Sequence, residues 1–142
     1  MESASGPRLW DLPHDERVRI VRNEIHRVTA RLSRLEANQL NRPAVGDWTI
    51  REVVAHLAVV AEFYTDSINR GASGEAEVPG DRPRAGTGRR ALAGAAMRQR
   101  ALHVADTTND EVIDDMRRDA LGLADALDAE ESSLEFECYH PG

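Results

Sequence analysis

The sequence predicts an all-α fold, an antiparallel up-and-down four-helix bundle with an extended C-terminal tail. Apolar residues recur three and four apart in successive segments, and capping-box spacings open two of those segments. No run of alternating β-branched residues competes with helices that bury their stripes against one another. With 142 residues the chain has the length of one domain. We divide it into an N-terminal extension, residues 1–14, and a single helical domain, residues 15–142.

The first helix is expected from Asp15 to about Gln39. Val18, Val21, Ile25, Val28, Leu32 and Leu35 form its stripe, and Asp15 and Glu16 stand where the helix dipole favours negative charge. The arginines of this segment mostly occupy the opposite face and read as solvated surface. Pro43 and Gly46 in NRPAVGDW break the pattern. The second helix then opens at Thr49, which with Glu52 forms a capping box in which each side chain satisfies a backbone N–H of the first turn. Its stripe centres on Leu57 and Tyr64, with Gly71 as the stop.

Residues 71–88 concentrate Gly and Pro and predict a long exposed loop, uncommon inside a compact domain. A third, Ala-rich helix follows from about Arg89 to Ala105, with Leu92, Ala95, Ala96 and Leu102 as a narrow stripe. Thr108 and Glu111 repeat the capping-box spacing ahead of Ile113, Met116, Ala120, Leu123 and Leu127. The last segment, ESSLEFECYHPG, alternates Leu134, Phe136 and Cys138 with polar residues and reads as extended. The stripes predict one shared core that includes Val21, Ile25, Val28, Leu57, Val60, Met116 and Leu123.

Composition excludes several classes of function. The formal charge is −7 and no basic patch supplies the positive field that nucleic acid requires. Every basic residue is Arg, which with the high Ala content reads as a coding bias. Cys138 is the only cysteine, so an internal disulfide and a Cys-rich zinc site are both ruled out. A reducing cytoplasm is the simplest setting. No apolar run approaches the roughly 20 residues that span a bilayer, and the N-terminus lacks the pattern of a signal peptide, so a soluble protein without membrane partners is expected. Phosphate-binding glycine loops and nucleophile elbows are missing, which leaves nucleotide chemistry and acyl transfer unsupported.

The residue that stands out is His56, about a quarter turn to one side of the second helix's stripe. Two readings are open: a histidine pairing with Glu52 at i, i+4 spacing, or a neutral imidazole ligating a metal with Glu52 among the outer groups that hold it. His103, and Cys138 with His140, are further donors. His14 and His26 read as capping or surface residues. Arg51 and Arg70, near opposite ends of the helix, are either surface charge or binders of an acidic substrate.

The run DWTIREVVAHLAVVAEFY resembles the signature of the DinB/YfiT-like superfamily of four-helix bundles, and within it the N-terminal domain of mycothiol-dependent maleylpyruvate isomerases. Trp48, Thr49, Arg51, Glu52, His56 and Leu57 match a Trp-Thr/Ser-x-Arg/Lys-Asp/Glu-x-x-x-His-Leu string that opens the family's second helix. The resemblance implies a divalent metal, usually zinc, held by this histidine and by a Glu or His plus a His four apart on a final helix. It also implies mycothiol as cosubstrate, so that the partners are a small-molecule thiol and an electrophile. His56 matches the first ligand, and the other two have no counterpart because the sequence ends where that helix is expected. The expectation is a related but incomplete domain, inactive alone. The alternative is a non-catalytic helical module for self-association or partner binding. A bundle lacking its last helix leaves apolar stripe uncovered, which makes a homodimer an expectation as well.

Overall fold

The computed structural model describes residues 8–75, 77, 101–104 and 106–129, and these are mostly helical. A 3-10 turn, Leu9–Asp11, precedes helix α1 (His14–Leu32). A one-turn helix α2 (Ala37–Leu40) and a hairpin of β1 (Pro43–Val45) and β2 (Trp48–Thr49) lead into α3 (Ile50–Ala72). Residues 101–104 are helical, and α4 spans Asn109–Asp128. Most of the predicted loop 71–88 and of the third helix, and all of the predicted tail, lie outside the described residues.

Helix α1 is shorter than its apolar spacing predicts. At its end the Ser33 hydroxyl donates to the Thr29 carbonyl at 2.9 Å, a local bond that competes with continued helix. Leu35 and Leu40 still reach the core, through a turn and α2, and Leu40 is buried. The NRPAVGDW break is also more ordered than a loop. β1 and β2 pair antiparallel across a two-residue turn in which Gly46 adopts φ +57°, the left-handed conformation that short hairpin turns assign to glycine.

Both predicted capping boxes are present. The Thr49 hydroxyl accepts the Glu52 N–H at 3.2 Å while the Glu52 carboxylate accepts the Thr49 N–H at 2.8 Å. Thr108 and Glu111 repeat the exchange at the start of α4. There the Thr108 backbone N–H and hydroxyl hold the Glu111 carboxyl below its ordinary range. Gly71 does not stop α3: it is buried within the helix, which runs on to Ala72, and the left-handed glycine that follows is Gly74 at φ +82°.

Contacts between the long helices fix their relative directions. His14, at the start of α1, bonds the Leu127 carbonyl near the end of α4, and Arg22 pairs with Asp125 and Asp128, so α1 and α4 run antiparallel. Arg51, at the start of α3, instead meets Asn109 at the start of α4. Further along, Glu62 to Asn69 border one cleft with Arg118 to Gly122, so α3 and α4 run parallel. In an up-and-down bundle with a third helix between them, the second and fourth helices run parallel and the first and fourth antiparallel, and these are the directions of α3, α4 and α1.

The packing face of α3 is also displaced from the predicted one. Leu40, Val54, Ala55, Ala58, Val112, Ile113 and Met116 form the core cluster, with Leu32, Leu35, Ile50, Val104 and Ala120 against it. Leu57 is 44% exposed and Val28 41%. Helix α3 is apolar on nearly every side between Val53 and Phe63, so hydropathy alone does not select its buried face. Close packing on α4 takes the small residues Ala55 and Ala58 and leaves Leu57 outward.

The seam between α3 and α4 carries a half-buried carboxyl. Asp119 accepts a bond from Arg118 Nε at 3.1 Å, yet burial pushes its carboxyl above the ordinary range, with Glu62 and Asp115 adding to the shift and Arg118 opposing it. A raised folded-state pKa means that the native state holds this proton more tightly than the unfolded chain does. The stability contribution is therefore full below the ordinary carboxyl pKa and is lost as pH rises through the raised one. Asp119→Asn is expected to melt above the parent near neutral pH, with the gap closing in acid. Thermal melts across that range check it, and a gap independent of pH would contradict it.

Candidate functional site

The hairpin and the first two turns of α3 form one unit. β2 places Trp48 and Thr49 at the helix entry, Thr49 caps the helix, and four residues after Glu52 the helix presents His56. The Trp48 and His56 rings meet edge to face, with centroids 5.0 Å apart and planes at 78°. His56 is half-buried, and Val59 and Phe63, one and two turns on, are buried. The indole therefore limits the orientations open to the imidazole.

Glu52 places one carboxylate oxygen on the Thr49 N–H, so that part of its bonding capacity serves the capping box. Arg51 is half-buried, and its guanidinium donates to the Asn109 side chain and to the carbonyls of Thr107 and Val104, strapping the start of α3 to the segment that enters α4. Arg70 pairs with Glu75 at 3.2 Å at the far end of α3. The two arginines predicted as substrate binders thus stand far apart, and both have partners within the chain.

His103 and His56 do not share a donor set. His103 Nε2 lies 2.8 Å from Asp115 Oδ2, at ion-pair distance but outside hydrogen-bond geometry. Asp115 also takes Arg118 Nη1 at 2.8 Å. His14 bonds α4 and is no surface residue in the strict sense, whereas His26 is exposed on α1. Cys138 and His140 lie outside the described residues. Among the described residues no group of three or more His, Cys, Asp or Glu side chains is placed to hold a metal ion, so those residues alone do not complete the donor set that zinc requires.

Two features escaped the sequence reading. The hairpin is too short for strand periodicity to show it, although Gly46-Asp47 between Val45 and Trp48 is the turn signal that could have found it. The Arg51 strap joins residues 58 apart in sequence, a distance at which local pattern carries no information.

No curated protein and no solved structure matches the chain. The family model of the DinB superfamily matches residues 20–141, from inside α1 to beyond the end of α4 and most of the sequence. The chain belongs to the DinB superfamily.

Proposed function

We propose that the chain is a DinB-type four-helix-bundle domain related to the metal-dependent mycothiol isomerases and transferases, with His56 at a metal-ligand position. The observation that supports this is the placement of His56 by Trp48 inside a string, Trp48 to Leu57, that folds as one hairpin-cap-helix unit. A bound divalent metal, zinc in the first instance, supplies stabilisation of a thiolate, which would make mycothiol a nucleophile toward a small electrophile. The chain's own part is to hold the imidazole in one orientation through the Trp48 edge and the capped first turn. Cys138 and His140 are the donors this sequence offers as an alternative to the family's missing pair, and a cytoplasmic setting would keep the Cys138 and mycothiol thiols reduced.

The described residues supply one histidine donor at this position, and a lone imidazole binds zinc weakly. The chain is therefore expected to take up zinc weakly and to be catalytically incomplete by itself. Calorimetric titration of zinc into the wild type and His56→Ala should give weak uptake that the substitution reduces. Tight stoichiometric binding lost in His56→Ala would overturn the incompleteness, and Cys138→Ser and His140→Ala would then identify the added donors. Zinc binding indifferent to His56→Ala would overturn the ligand assignment.

A further inference from the structure

We draw no further inference here: the strongest candidate, the polar cleft between α3 and α4 lined by Glu62, Asp66, Asp119 and Arg118, is a cluster of acidic side chains to which no second feature among the described residues adds a ligand.

Discussion

Phe63→Ala is expected to cost about 3–5 kcal/mol of folding free energy, whereas Leu57→Ala on the same helix should cost no more than about 0.5 kcal/mol in the isolated protomer. Phe63 is 1% exposed and among the largest fully buried side chains of the described residues, so its removal forfeits transfer energy and leaves a cavity whose lining loses contacts. Leu57 is nearly half exposed, so truncation removes atoms that are already in water. Denaturant midpoints for the two variants, taken at a concentration that keeps the chain monomeric, decide the matter. Equal losses would mean that α3 is rotated relative to the packing described above.

Arg51→Ala is expected to lose about 2–3 kcal/mol, since hydrogen bonds that involve a charged group contribute about 1.5–3 kcal/mol and the partners are left partly buried. Asn109 and the Thr107 and Val104 carbonyls would then have to find water at the junction of α3 and α4. Arg51→Lys should recover little of this loss, because an ammonium is a point charge and cannot reach three acceptors in the fork geometry of a guanidinium. The same experiment separates two roles. An Arg51 whose work is to hold an acidic substrate would leave unliganded stability unchanged on substitution, while the strap predicts the loss with no ligand present. Urea unfolding of the three proteins is sufficient.

These expectations show which parts of the molecule were legible in the sequence. The helix starts were, because a capping box is a local device: Thr49 with Glu52, and Thr108 with Glu111, need only three residues' separation to satisfy the same backbone groups. The position of His56 at the edge of a packed face was legible for a similar reason, since a helix fixes angular relations over a few turns. The buried face of α3 was not. Val53, Val54, Leu57, Val59 and Val60 give no polar side to orient the helix, and the choice fell to alanines that allow α4 to approach. Nor could spacing reveal that Arg51 reaches Asn109 or that His103 faces Asp115, for these meetings are made by the packing of separate elements.

The parallel course of α3 and α4 bears on how the chain tolerates change in length. Because the two helices start at the same end, the segment from Ser73 to Thr108 must span about a helix length, roughly 30 Å for 20 residues. An extended chain advances at most about 3.3–3.6 Å per residue. Deletions in this segment therefore meet a hard geometric floor near nine or ten residues, below which α4 can no longer lie beside α3 in its present direction. Above that floor the cost is soft, since loop closure grows only as the logarithm of length and a doubling costs about 0.6 kcal/mol. Homologous chains or engineered variants can lengthen this segment freely, while shortening it past the floor would force α4 to reverse and exchange one bundle topology for another.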